Sequence, residues 1–214
     1  TKVGTPTMGG IALIAGIVIA YMVSDLYNGI YTRSGLLVIF AIVGSAAVGF
    51  LDDWIKVKRE RNLGLRARAK MAGQFTVATL FAVLMVTLTD VQTQISFTRW
   101  DSIGIDLGPV GWCVLAVLMI VATSNSVNLT DGADGLASGA ALFAFATFTA
   151  MAFWMFGNPE IYQVEHALDL AVVAAGGVGA CAGFLWWNAA PAQIFMGDTG
   201  SYFVGLMLAS MTIV

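Results

Sequence analysis

The sequence holds 214 residues, of which 58% are hydrophobic and only 11% charged, and its mean hydropathy is +0.84. Soluble domains carry about 25% charged residues, so this chain has too little polar surface for a water-facing globule, and the bilayer is its natural solvent. The net charge of −3 argues against a nucleic-acid partner.

In chain order, a polar and glycine-rich stretch, Lys2-Val3-Gly4-Thr5-Pro6-Thr7-Met8-Gly9-Gly10, leads into the first of seven apolar segments. These are Ile11–Val23, Gly35–Leu51, Met71–Leu88, Val110–Thr123, Gly139–Phe156, Leu168–Trp187 and Ser201–Val214. Each is roughly one bilayer crossing at about 1.5 Å per residue, the first, fourth and seventh being short. The expected fold class is an all-α polytopic membrane protein. Gly176, Gly177, Gly179, Ala180, Ala182 and Gly183 give the sixth segment a smooth face suited to close helix packing in lipid.

If the segments alternate, one set of loops holds Lys2, Lys56, Lys58, Arg59, Arg61, Arg66, Arg68 and Lys70, and the other only Arg33 and Arg99. Eight basic residues against two make the first set cytoplasmic. On the opposite face, Ile95, Phe97, Ile103, Ile105 and Leu107 alternate around Trp100-Asp101-Ser102 and predict a small periplasmic β-hairpin. His166, the only histidine, falls there too, among Glu160 and Glu165, and reads as a solvated surface residue. Cys113 and Cys181 lie in apolar runs without metal-ligand spacing and read as small core residues. Thr1 opens in mid-motif and Val214 closes inside an apolar run, so the expectation is a single catalytic membrane domain, 1–214, truncated at both ends.

The unusual residues all return to the basic face. Asp52-Asp53 ends the second segment, where the helix dipole disfavours negative charge and a cation or substrate is needed to offset it. A solvated helix end is the bland alternative. Neighbours on a helix point about 100° apart, so the two carboxylates are expected to do different jobs instead of chelating one ion together. Asn128, Asp131 and Asp134 recur every three residues among Gly132 and Gly135, a spacing that places them on one side of a helical turn. Oxygen ligands of this kind suit Mg²⁺ carrying phosphate, though taken alone the stretch could be a turn-rich loop. Asp198 lies in Met196-Gly197-Asp198-Thr199-Gly200-Ser201 before the last segment and could be a plain helix cap; Asn188 and Phe195 precede it, the ring offering a face for a base. The basic loop Lys56–Lys70 either anchors the membrane face or binds phosphates, and the two are compatible. Together these parts describe metal-assisted phosphoryl transfer to a lipid-borne acceptor.

Thr5-Pro6-Thr7-Met8-Gly9-Gly10, Asp52-Asp53, the run from Asn128 through Ala137 and Phe195-Met196-Gly197-Asp198-Thr199-Gly200-Ser201 resemble, in this order, the phospho-N-acetylmuramoyl-pentapeptide transferases. That bacterial family, of the polyprenyl-phosphate N-acetylhexosamine-1-phosphate transferase superfamily, makes lipid I for peptidoglycan. The resemblance, running from Lys2 to Val214, implies about seven transmembrane helices of a ten-helix fold, the third through most of the ninth. It implies transfer of phospho-MurNAc-pentapeptide from UDP-MurNAc-pentapeptide to undecaprenyl phosphate with release of UMP. It also implies Mg²⁺, the inner membrane with the site on the cytoplasmic face, and a homodimer as an admissible assembly. By motif match Asp198 is the metal ligand, and Asp52 is the base for the lipid phosphate with Asp53 beside it. Asn128 and Asp131 line the substrate pocket; Gly132, Asp134 and Phe195 hold uridine, with Asn188 nearby; Lys2 and Lys56 face phosphate. The family's histidine-bearing loop after the ninth helix and its first two helices are absent from these 214 residues, so the isolated chain is expected to be inactive. The alternatives are a sister enzyme using UDP-GlcNAc and, in another class, an ion-coupled transporter, which would hold its carboxylates near the midplane.

Overall fold

An apolar segment in lipid must satisfy its own backbone, and helix is the conformation that does so within one segment. In the computed structural model, which describes residues 5–29, 31–60, 63–95 and 104–214, each of the seven apolar segments forms a helix. They are α1 (Gly10–Asn28), α2 (Arg33–Lys58), α3 (Ala67–Leu88), α4 (Gly108–Thr130), α5 (Leu136–Gly157), α7 (Ala167–Asn188) and α8 (Gly197–Ile213). A single turn, α6 (Pro159–Tyr162), interrupts the α5–α7 connection. The helices α2, α3, α4, α5 and α7 are each long and apolar enough to cross a membrane; Gly10–Ser24 is apolar but shorter. The chain is a multi-pass, all-α membrane protein.

Two helices outrun the apolar segments that predicted them. Hydropathy falls at Leu51 and at Thr123, yet α2 continues to Lys58 and α4 to Thr130. In α4 the polar residues turn their side chains back onto their own helix: Asn125 Nδ2 donates to Val121 O, Ser126 Oγ to Ala122 O and Thr130 Oγ1 to Ser126 O. Such bonds let a polar stretch stay helical without facing lipid unpaired.

The axis of the bundle is α8, buried along almost its whole length. It is flanked by α2 and α4, with α3 packed against both, while α5 pairs with α7 and α1 lies along α7. Ser124 Oγ on α4 donates to Tyr202 O on α8 at 3.0 Å. The smooth face of α7 is only half used. At Gly177 a Cβ would meet Met207 Cε at 2.7 Å and the Phe145 ring at 2.8 Å, whereas Gly179 and Gly183 open on nothing within 4 Å. Cys181 is buried and Cys113 half-buried, both free thiols, as expected.

Away from the polar motifs, Asp169 in the first turn of α7 is fully buried and clasps three elements. Its Oδ2 accepts from Tyr21 Oη of α1 at 3.3 Å, from Thr32 N at 2.9 Å and from Thr32 Oγ1. Thr32 in turn caps α2, accepting from Gly35 N. Nearby stands the predicted hairpin: β1 (Gln94–Ile95) pairs antiparallel with β2 (Ile105–Asp106), Ile95 opposite Ile105. Leu107, a further predicted member, instead caps the start of α4, and Phe97, Trp100, Asp101, Ser102 and Ile103 lie outside the described residues. Asp106 accepts from Gly108 N and Thr93 Oγ1, bonds that hold its carboxyl below the usual carboxylate range. His166 is half-buried, its Nε2 3.1 Å from Val214 O, so it is less solvated than its polar neighbours suggested.

Candidate active site

Because α2 runs on past Leu51, Asp52 and Asp53 lie inside the helix and not at its end, and Lys56 and Lys58 occupy the last turn. The unfavourable dipole expected at Asp52-Asp53 is therefore met by the helix's own lysines. Asp198 lies in the first turn of α8, where a carboxylate is favoured by the dipole. A Cβ at Gly49, one turn before Asp52 and Asp53, would strike the Asp198 carbonyl, so a bare glycine is what lets α2 approach the start of α8. Gly197, at φ +73°, turns the chain into α8 in a conformation that glycine adopts without strain.

These local features bring three carboxylates together. Asp52, Asp53 and Asp198 are 0%, 1% and 9% exposed, and one oxygen from each lies within 4.8 Å of the others. Two lysines hold them. Lys56 Nζ lies 2.6 Å from Asp52 Oδ2, 3.3 Å from Asp53 Oδ1 and 3.1 Å from Asp198 Oδ2. Lys70 Nζ, from the first turn of α3, lies 3.0 Å from Asp52 Oδ2 and 2.7 Å from Asp198 Oδ2. The outer oxygens are bound separately. Asp52 Oδ1 accepts from Leu65 N at 2.6 Å, and Asp53 Oδ2 from Thr199 N at 2.8 Å and Thr199 Oγ1 at 2.7 Å. Asn128 Nδ2 donates to Asp198 Oδ1 and to Ser201 Oγ, each at 2.8 Å.

The expectation that neighbouring aspartates diverge holds for the outer oxygens only. Side-chain rotation turns one oxygen of each inward, because Lys56 stands three residues from Asp53 and four from Asp52 and so faces both. The donor set that could hold a metal is thus all three carboxylates, wider than Asp198 alone. All are hard oxygens. Such oxygens are the donors Mg²⁺ takes, and a bound ion would replace the lysines as the charge that offsets the three carboxylates.

A second network lies beyond Asn128. The helix α4 ends at Thr130, so Asn128 is on it while Asp131 caps it and Gly132 and Asp134 follow in the turn; the three-residue spacing is helical only up to Asp131. Asp134 Oδ2 accepts from Ala192 N at 3.1 Å. The Asn188 amide is buried and engaged on both sides: Oδ1 accepts from Gly135 N and Ser138 Oγ, and Nδ2 donates to Ile194 O. Phe195 is half-buried and its backbone is paired with the first motif, Phe195 N donating to Pro6 O and Gly9 N to Phe195 O. The Thr5–Gly10 stretch therefore braces the segment that leads to Asp198.

Direct contacts thus join Asp52, Asp53, Lys56, Asn128 and Asp198, and a second set of bonds ties the Asp134 loop to Asn188 and the segment before Phe195. Lys2 lies outside the described residues. Lys70 and Thr199 are members that the sequence reading did not single out. Lys70 carried a signal, since it starts an apolar helix and a charge there is seldom without a partner; Thr199 carried none beyond its motif.

Helices and cluster together define a multi-pass membrane protein with a buried carboxylate–lysine centre at the confluence of four helices. Residues 35–214 match the sequence pattern of glycosyl transferase family 4, and the chain belongs to that family. Among its relatives, the phospho-N-acetylmuramoyl-pentapeptide-transferase of Streptomyces griseus is 49% identical, the alignment covering 100% of this chain and 64% of the relative. The proteins of the same name from Corynebacterium efficiens and Frankia alni are 46% and 47% identical, over 100% of this chain and 65% and 64% of theirs. The chain therefore spans a little under two thirds of the length of these relatives.

Proposed function

We propose that the protein transfers phospho-MurNAc-pentapeptide from UDP-MurNAc-pentapeptide to undecaprenyl phosphate, giving lipid I and UMP in peptidoglycan synthesis. The observation that carries this reading is the buried cluster of Asp52, Asp53 and Asp198 with Lys56 and Lys70, on a chain 49% identical to a relative of that name. Phosphoryl transfer between two anionic partners asks a protein mainly for positioning and charge, and a metal with two lysines supplies both.

Asp198, with Asp52 and Asp53 beside it, would hold Mg²⁺, which when bound neutralises the pyrophosphate and polarises its oxygens. Lys56 and Lys70 exchange their carboxylate partners for phosphate oxygens and keep the two anions together. Asp52 accepts the proton of the lipid phosphate, and Asp53, oriented by Thr199, keeps Lys56 aimed at the centre. Asn128 restrains the Asp198 carboxylate through its bond to Oδ1. Asp131 lines the pocket, Gly132, Asp134 and Phe195 cradle uridine, and Lys2 faces phosphate. Asn188 acts by tying the loops of Asp134 and Phe195 together, because its own amide is spent on the protein. The site faces the cytoplasm, in the bacterial inner membrane, on the side of the basic loops.

The test is release of UMP by the full-length protein in detergent with undecaprenyl phosphate, Mg²⁺ and either UDP-MurNAc-pentapeptide or UDP-GlcNAc. Release with the first alone supports the reading. Turnover of UDP-GlcNAc alone rejects the substrate, and release with neither rejects the reaction.

A further inference from the structure

One turn into the bundle from the carboxylate cluster, the seam between α3 and α4 holds a polar pair that the reaction does not itself require. Gln74 is 4% exposed on α3, and its Oε1 accepts from Asn125 Nδ2 of α4 at 2.7 Å. The same Asn125 Nδ2 donates to Val121 O at 2.7 Å, which fixes its rotamer. Gln74 Nε2 is buried and has no hydrogen-bond partner among the described residues. Leaving such a group unpaired costs about 1–3 kcal/mol. The neighbouring turns of this seam are filled by apolar side chains such as Ala78 and Val121. An apolar residue at position 74 would avoid that cost, so packing alone does not account for an amide there.

What it governs follows from helix periodicity. Lys70 stands four residues before Gln74, and Asn128 three residues after Asn125, so each lies one turn nearer the cluster on the same face as its partner. These two residues grip opposite oxygens of one carboxylate: Lys70 Nζ reaches Asp198 Oδ2 at 2.7 Å and Asn128 Nδ2 reaches Asp198 Oδ1 at 2.8 Å. Both grips are kept only if α3 and α4 hold one axial and rotational register. Slippage by one residue moves a side chain about 1.5 Å along the axis and about 100° around it. Ala78 and Val121 oppose such slippage by packing alone; the short amide–amide bond adds a directional restraint at this turn.

We propose that Gln74 is a positioning residue, whose hydrogen bond to Asn125 sets the register of α3 on α4 and so delivers Lys70 and Asn128 to the two oxygens of Asp198. This rests on the transferase reading for its kinetic consequence, but its structural part stands without it. Gln74 touches no substrate and acts through Lys70.

The experiment uses the full-length protein in detergent with Gln74→Leu, with Gln74→Met as the substitute should the leucine variant not fold, and with the exchanged pair Gln74→Asn/Asn125→Gln, which keeps the combined side-chain length. Two quantities are read well below the melting temperature: kcat and KM for UMP release, and acylation of Lys70 by an amine-reactive ester, quantified by mass spectrometry against exposed Lys58. The expected result for Gln74→Leu is kcat lowered about tenfold or more with KM within about twofold, the pattern of a misplaced group. Lys70 acylation is expected to quicken about threefold or more relative to Lys58, because an ion-paired amine is shielded. The exchanged pair is expected to bring both quantities back within about threefold of the starting protein. Unchanged Lys70 acylation in the leucine or methionine variant, or an exchanged pair that does not restore it, overturns the proposal. A variant that melts lower but leaves both quantities alone also overturns it, since Gln74 would then be only helix glue. If the unaltered protein releases no UMP, the transferase reading fails, while Lys70 acylation still decides the positioning role.

Discussion

Replacing Thr199 by valine tests whether Asp53 is held for a purpose. Thr199 is 1% exposed and gives Asp53 Oδ2 two bonds, from its backbone N at 2.8 Å and its hydroxyl at 2.7 Å. Valine keeps the branched shape and the backbone donor and removes only the hydroxyl. A hydrogen bond to a buried charged group contributes about 1.5–3 kcal/mol net. For 150–250 residues each kcal/mol moves the melting temperature by about 2–4 °C, and by less in a longer protein, so Thr199→Val should melt a few degrees lower, by about 12 °C at most. Thr199→Ser keeps the hydroxyl and loses only a methyl group, at a cost of about 1 kcal/mol. Thermal unfolding of the full-length protein in one detergent, followed by tryptophan fluorescence, gives both shifts. UMP release measured alongside should fall about tenfold or more in the valine variant, because a less restrained Asp53 lets Lys56 swing, and less than that in serine. Thr199→Val melting no lower than Thr199→Ser would refute the argument that the hydroxyl–carboxylate bond holds Asp53.

Four further outcomes follow from the same geometry. Lys70→Met should abolish detectable UMP release, and Mg²⁺ should raise its melting temperature more than that of the unaltered protein, since a cation replaces the missing charge between Asp52 and Asp198; equal shifts would contradict this. Asp198→Asn should weaken Mn²⁺ binding, read by electron paramagnetic resonance, by about tenfold or more, while Asp169→Asn leaves it unchanged. Asn188→Leu leaves Gly135 N, Ser138 Oγ and Ile194 O without their partner, so UMP affinity measured by calorimetry should fall severalfold, with a stability loss of about 2–4 kcal/mol. Finally, an Asp52→Asn enzyme that still forms a covalent adduct with labelled nucleotide sugar would exclude Asp52 as the nucleophile and point to a different side chain, whereas absence of any adduct in the unaltered protein is the outcome expected of direct attack by the lipid phosphate.

The helices were legible because lipid imposes a coarse rule: an apolar run of bilayer length has one acceptable conformation. All seven were found at their cores. Their ends were not, because hydropathy registers where lipid stops and not where the hydrogen-bond ladder stops, so α2 and α4 each continued for a further seven residues. That difference mattered for function, since it moved Asp52 and Asp53 from a predicted helix end into α2 and joined Asn128 to the membrane helix α4. The one-sided clustering of Asp52, Asn128 and Asp198 was legible from motif order and span counting. Convergence of Asp52 with Asp53 was not, because a projection of Cα positions omits side-chain rotation and the lysine between them. Gln74 was invisible for a different reason: one amide in an apolar helix has no pattern, and its partner lies 51 residues away.

The overhang of α2 has a consequence for what can reach the cluster. From Arg33 to Asp52 the helix rises about 28 Å, close to the roughly 30 Å of a bilayer's hydrocarbon layer, and the six residues to Lys58 add about 9 Å more. Trp54 on α2 and Trp186 and Trp187 on α7, all exposed, suit the interfacial zone just beyond that level. The carboxylates would then lie at the floor of the headgroup layer, beneath a collar of helix ends. An acceptor whose phosphate rides at the top of a hydrocarbon chain arrives there at the correct depth by partitioning alone, whereas a water-soluble phosphate must descend. Under the transferase proposal the membrane itself would act as a ruler, admitting acceptors by the height at which they carry their charge.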